Sequence, residues 1–158
     1  AAAILRKNRR KPITSVFPAT TATAFSTFYS GLPPPMHEIT GYLLRTGRGV
    51  CVALKMLPNG AKKQLPEKEV RKTFSFTPFF KRIRAPSFVI LPRKIADSAF
   101  NMIACTGANR INYEGYAQFV EKTAQAAQRK KGKTFVLAYA EALDVACHCK
   151  GPKSKRAK

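Results

Sequence analysis

The chain has 158 residues, and 29 Lys and Arg stand against 8 Asp and Glu, a formal net charge of +21. That length allows one ordinary domain with tails, and charge of this density opposes compaction unless a polyanion neutralises it. The hydrophobic fraction of 45 % excludes a chain disordered by composition, and no run approaches the roughly 18 to 20 apolar residues of a transmembrane helix. The 4 cysteines, Cys51, Cys105, Cys147 and Cys149, are sparse and irregularly spaced. They do not form a secreted disulfide framework and point to a reducing compartment.

Residues 1–37 contain no Asp or Glu. Arg6, Lys7, Arg9, Arg10 and Lys11 come first, followed by a run rich in Ala, Thr and Ser up to Ser30. This is the composition of a mitochondrial transit peptide. Pro33, Pro34 and Pro35 close the stretch and favour an extended polyproline conformation. Two readings stay open: a targeting peptide that is removed, or a permanent extended arm lying along RNA or between proteins.

Two apolar runs follow, Ile39 to Leu44 and Val50 to Leu57. Thr46-Gly47-Arg48-Gly49 between them is a turn signal that exposes Arg48. Pro58-Asn59-Gly60 adds the strongest short hairpin signal. Two antiparallel strands are expected, with a third if Lys63-Gln64-Leu65 pairs back. A lone hairpin is marginal in water and must pack on something else.

Lys62 to Lys94 holds Lys62, Lys63, Lys68, Arg71, Lys72, Lys81, Arg82, Arg84, Arg93 and Lys94, opposed only by Glu67 and Glu69. Phe74, Phe76, Phe79, Phe80 and Phe88 are interleaved. Thr73-Phe74-Ser75-Phe76-Thr77 alternates with period two, as a half-buried strand does. Cations mixed with aromatic faces suit unpaired nucleotides. Buried Phe is far commoner than base-stacking Phe, so most of these rings are expected in the core and the cations on RNA.

From Pro92 the period becomes helical. Ile95, Ala99, Met102 and Ile103 share a face, and Thr106-Gly107 ends that helix. Asn112 is the expected N-cap of a second helix with the stripe Tyr113, Tyr116, Val120, Ala124 and Ala127. A third is expected from about Thr134 to Cys147, carrying Val136, Tyr139, Ala140, Leu143 and Cys147 on one face. The fold class is then α+β: a small β-hairpin region followed by about three short amphipathic helices packed as a small bundle or hairpin layer, with extended basic N- and C-terminal tails. The organisation is an arm over 1–37, a core over 38–149 and a tail over 150–158. The tail carries Lys150, Lys153, Lys155, Arg156 and Lys158 without an acid. It suits phosphate contacts, with a nuclear-localisation signal as the rival reading.

Cys147-His148-Cys149 places three potential zinc ligands in a row. Consecutive helical residues point about 100° apart and cannot all reach one ion. A helix end with a buried Cys147 is the simpler expectation, although a shared metal site stays open. No catalytic set stands out among two histidines and scattered carboxylates. Gly47-Arg48-Gly49 lacks the spacing and lysine of a phosphate-binding loop. Glu141 and Asp144 lie three apart on the third helix, where solvated ion pairs account for them. No enzyme activity, cofactor or metal is expected.

The acid-free arm with Arg6 to Lys11, the basic 62–94 segment, the small helical core and the ending Lys155-Arg156-Ala157-Lys158 together resemble a mitochondrial ribosomal protein. The resemblance is one of type, spread loosely over the whole chain. It implies a structural constituent of a ribosome in the mitochondrial matrix, with ribosomal RNA and other ribosomal proteins as partners. Phosphate contacts are expected from Arg6, Lys7, Arg9, Arg10, Lys11, Arg48, Lys62, Lys63, Arg71, Lys72, Lys81, Arg82, Arg84, Lys153, Lys155 and Arg156. An accessory subunit of a mitochondrial inner-membrane complex and a cytosolic RNA-binding or ribosomal protein are the alternatives.

Overall fold

The computed structural model describes residues 13–128 and 132–154, with Lys7 and Lys11. Both helices and strands are present, in line with an α+β chain. The first element corrects the expectation of an extended arm up to His37. Thr21–Ser30 forms helix α1, which buries Ala22, Phe25 and Tyr29. Those residues make one helical stripe despite the Thr and Ser between them. Thr20 caps the start, its Oγ1 accepting from the Thr23 amide at 3.2 Å. The buried Ser26 and Ser30 hydroxyls donate back to the Ala22 and Ser26 carbonyls at 2.8 and 2.6 Å. Such back-bonding lets small hydroxyl residues sit in a core without an unmet polar group.

The proline run is also not wholly extended: Pro34–His37 makes one helical turn, α2. Pro34 at its first position has no amide to leave unpaired. His37 locks α2 onto α1. It is fully buried, its Nδ1 accepts from the Ile39 amide at 3.1 Å, and its Nε2 lies 3.0 Å from Thr27 Oγ1.

Next comes an antiparallel sheet of β1 (Leu43–Thr46), β2 (Gly49–Val52) and β3 (Leu57–Pro58). The hairpin over 43–52 forms where expected, with Thr46 opposite Gly49. Asn59-Gly60 does not join two strands; it ends β3, with Gly60 at φ 76. Lys63-Gln64-Leu65 adds no strand, and only the Leu65 amide reaches back, to the Met56 carbonyl at 2.8 Å.

Helix α3 (Glu67–Thr73) follows, then a 3₁₀ turn over Phe79–Arg82. The alternating 73–77 stretch is not a strand. Phe74 and Phe76 pack on each other at 5.1 Å, and both turn inward. Burial of two neighbouring rings overrides the two-residue period here. As expected, Phe76, Phe80 and Phe88 are core residues, and Phe74 and Phe79 are half-buried against it.

The largest departure from expectation is a second sheet. Its strands β4 (Ser87–Pro92), β5 (Asn109–Tyr113) and β6 (Phe135–Ala138) run parallel in the order β5-β4-β6. Every residue of β4 is buried, which is why its sequence is a continuous apolar run without alternation. Two short helices, α4 (Arg93–Ala96) and α5 (Ala99–Ala104), replace the single helix expected after Pro92. Ser98 splits them by capping α5, its hydroxyl accepting from the Asn101 amide at 3.2 Å. Met102 is exposed, while Phe100 and Ile103 face inward.

Asn112 is not an N-cap. It lies in β5, and helix α6 begins three residues later, spanning Gly115–Gln128. Of its expected stripe, Tyr116 and Val120 are exposed, and Ala126 is the helix's buried residue. The helix expected over 134–147 is instead β6 followed by α7 (Glu141–Lys150). The helical bundle is therefore replaced by a parallel sheet with helices on both faces. One face, with Val89 and Leu91, joins the core that holds α1, α5 and β2. The other, with Phe88, Ile90 and Tyr113, packs on Phe119 and Ala126 of α6. The first crossover runs from β4 to β5 and the second from β5 past β4 to β6, so they move in opposite directions across the sheet and lie on opposite faces, as right-handed connections require. No helix among the described residues is long and apolar enough to cross a membrane.

The His37 lock sets a pH dependence. Burial lowers its pKa from the ordinary 6.5, so the unfolded chain binds the proton more readily than the folded one. The lock is complete above pH 6.5 and is lost as pH falls through the lowered value. Carboxylates titrate near 4, outside that window. Thermal melts from about pH 7.5 to about pH 5.5 should show a falling midpoint that flattens in His37→Gln. Equal slopes in the two proteins would contradict the assignment.

Candidate nucleic-acid interface

Two groups of basic side chains between Arg45 and Arg84 form the candidate interface. The first is a cleft of about 570 Å³ between the β1–β2 turn and α3. Arg45, Arg48 and Lys72 line it, together with the carboxylates of Glu38 and Glu69. Strand alternation puts Arg45 outward while Leu44 packs on the core. The Arg48 guanidinium reaches Glu69 at 2.6 Å and ties the turn to α3. Glu69 is half-buried, so this pair positions the turn as well as balancing charge. Lys72 carries no ion pair among the described residues and faces the same cleft.

The rest of α3 is mixed. Arg71 forms an exposed pair with Glu67 at 2.6 Å, one helical turn away. Pairs of this kind contribute only about 0.3 to 0.5 kcal/mol, so Arg71 can exchange Glu67 for a phosphate at small cost. Lys68 is exposed beside it.

The second place is the 3₁₀ turn. Arg82 Nη2 donates to the Ser30 carbonyl at 2.7 Å. That oxygen belongs to the last turn of α1, where carbonyls lack helical partners. Arg82 is thus a cap on α1, and its guanidinium is already spoken for. Lys81 and Arg84 flank it, exposed and without an ion pair among the described residues. Gly107 holds this turn from below. It has φ +99, and a Cβ there would lie 2.9 Å from the Lys81 backbone nitrogen.

The remaining expected contacts divide plainly. Lys62, Lys63 and Lys153 are exposed, as are Lys7 and Lys11. Arg6, Arg9, Arg10, Lys155 and Arg156 lie outside the described residues. Among the sequence-derived set, Arg48 and Lys72 come together in one cleft. Arg45, not singled out from sequence, joins them; its place two residues before the turn and out of step with Leu44 is the signal that marks it.

No nucleophile is evident among the cysteines near the core. Cys51 and Cys105 are buried, and burial pushes the Cys105 thiol up to about 12. Tyr29 lies against it, and burial raises the pKa of its hydroxyl as well. On α7, Cys147 is half-buried while His148 and Cys149 are exposed. On this helix Glu141 forms an ion pair with Lys94 at 2.7 Å, and the Asp144 carboxylate lies 3.6 Å from His148 Nε2. No group of three potential metal ligands gathers among the described residues. Comparison with protein-family models and with curated proteins finds no match to this chain.

Gly107→Ala tests how the Lys81–Arg84 turn is held. It should lower the free energy of unfolding by more than about 1 kcal/mol. Gly49, at φ +97 with nothing within 4 Å of a Cβ, supplies the control. Urea titration of both Ala variants should show the larger loss at Gly107. Equal losses would mean that the close approach to Lys81 contributes nothing beyond backbone strain.

Proposed function

We propose that the protein is a structural, RNA-contacting constituent of a ribosome, most simply a mitochondrial one. The observation that carries this reading is the excess of cation that the fold leaves unmatched. The chain has 29 Lys and Arg for 8 carboxylates. Five of those carboxylates pair with Arg48, Arg71, Arg93, Lys94 and Arg110. Lys62, Lys63, Lys72, Lys81 and Arg84 remain exposed without such a pair among the described residues. A polyanion relieves this repulsion, and each phosphate neutralised releases counterions and adds affinity. Contacts of this type position a protein on RNA and carry little base specificity. The acid-free composition of residues 1–37 supports the mitochondrial part of the reading.

Binding to a folded RNA should weaken steeply as salt rises and depend little on sequence. The double variant Lys81→Glu/Arg84→Glu should reduce the slope of log K against log salt by roughly 1 to 2. These two positions are better probes than Arg82, whose loss also uncaps α1. Filter binding between about 50 and 200 mM salt measures the slopes. A flat salt dependence, or a double variant identical to the parent, would contradict phosphate contact by this face.

A further inference from the structure

The three parallel strands end at the same edge of the sheet, β4 and β5 level at Pro92 and Tyr113 and β6 two residues short at Ala138. With β4 central, the chain leaves it first toward β5 and then crosses to β6, so the strand order reverses at β4. In open parallel sheets the crevice beyond the carboxyl ends of the strands, at such a reversal, is where ligands bind. Here a cavity of about 530 Å³ lies at that place, between α6 and α7. A shallower hollow beside it shares Lys94, Tyr113, Gly115 and Glu141. The volume is that of an organic ligand rather than a bare ion.

The walls of the cavity have two characters. On the α6 side stand three aromatic rings. Phe119 meets Tyr113 edge-on at 5.1 Å and lies 6.0 Å from Tyr116 at an interplanar angle of 32°. Tyr116 is 67 % exposed, a costly position for a ring whose only task is packing. On the other side are amines: Lys94, held at the mouth by Glu141 at 2.7 Å, and Lys150, which has no ion pair among the described residues. The floor is rigid. The Tyr113 hydroxyl donates to the Tyr139 carbonyl at 2.8 Å and accepts from the Glu141 amide at 3.3 Å, tying β5 to the start of α7. Helix α7 buries none of its own residues, so an occupant between it and α6 would add contacts that the chain alone does not make.

We infer that this crevice holds one nucleotide, with the base against Tyr116 and Phe119 and the phosphate on Lys150, while Lys94 stays paired with Glu141 at the mouth. The choice of a nucleotide over another flat anion rests on the RNA-contacting reading above. The shared chemistry has two sources, a free mononucleotide and an unpaired residue of RNA. Stacking on an aromatic side chain tolerates any base, so little preference among bases is expected.

The test uses the full chain, titrated at low salt with adenosine or uridine monophosphate and, separately, with a short single-stranded oligoribonucleotide. Calorimetry gives affinity, and amide chemical shifts of Gly115 and Tyr116 give location. Tyr116→Leu keeps apolar bulk but removes the ring face, Lys150→Glu reverses the amine, and Ala142→Phe fills the cavity from α7. Circular dichroism checks that each variant folds. Saturable binding that shifts those amides and weakens about tenfold or more in the three variants establishes the site. If the mononucleotides bind, the source is free nucleotide; if only the oligonucleotide binds, it is RNA. No saturable binding of either probe, or affinity unchanged in all three variants, overturns the inference. The Lys81→Glu/Arg84→Glu protein separates the two readings. Salt-dependent RNA binding without a crevice signal removes only the nucleotide site. A crevice signal without salt-dependent RNA binding removes only the ribosomal role.

Discussion

The fold depends on the complete burial of β4. Its two neighbours run parallel to it on either side, and its two faces carry the two cores. Val89 and Leu91 anchor the larger core, where Tyr29 and Phe100 pack at 6.0 Å. Phe88 and Ile90 anchor the smaller one under α6. A buried edge-to-edge strand of this kind cannot be moved without unmaking both layers. It also fixes where the basic turn at 79–84 leaves the core and where the carboxyl-edge crevice opens.

That strand is also where sequence reading was weakest. Phe88-Val89-Ile90-Leu91 has no alternation, and a short apolar run shows no period that separates a buried strand from a helix. It was legible only as one more aromatic in a basic stretch. Phe135-Val136-Leu137-Ala138 is ambiguous for the same reason, and its apolar residues continue the period of a helix that begins only at Glu141. By contrast, the β1–β2 hairpin was legible because Thr46-Gly47-Arg48-Gly49 is local turn chemistry. Helix α1 was hidden by composition: Thr and Ser read as an extended arm, while Ala22, Phe25 and Tyr29 carried the helical period beneath them.

The candidate site was legible as chemistry and not as geometry. Composition names the cations, but it cannot say which are occupied. Arg82 caps α1 through Ser30, and Arg48 braces Glu69, whereas Lys72, Lys81 and Arg84 stay available. The difference arises from partners 21 and 52 residues away in sequence, beyond the reach of any local pattern. The crevice at the sheet's carboxyl edge was invisible for a related reason, since Tyr113, Glu141 and Lys150 meet there only because the sheet is parallel.

The proposed role rests on a charge that the fold itself leaves unbalanced, so the decisive question is whether RNA balances it in the cell. Sucrose-gradient sedimentation of detergent-solubilised mitochondrial and post-mitochondrial fractions, with and without ribonuclease, answers it when the protein is followed by antibody. Co-migration with a mitochondrial ribosomal subunit that collapses after ribonuclease is the predicted result. Sedimentation with a membrane complex, indifferent to ribonuclease, would contradict it and assign the charge to lipid or protein partners instead.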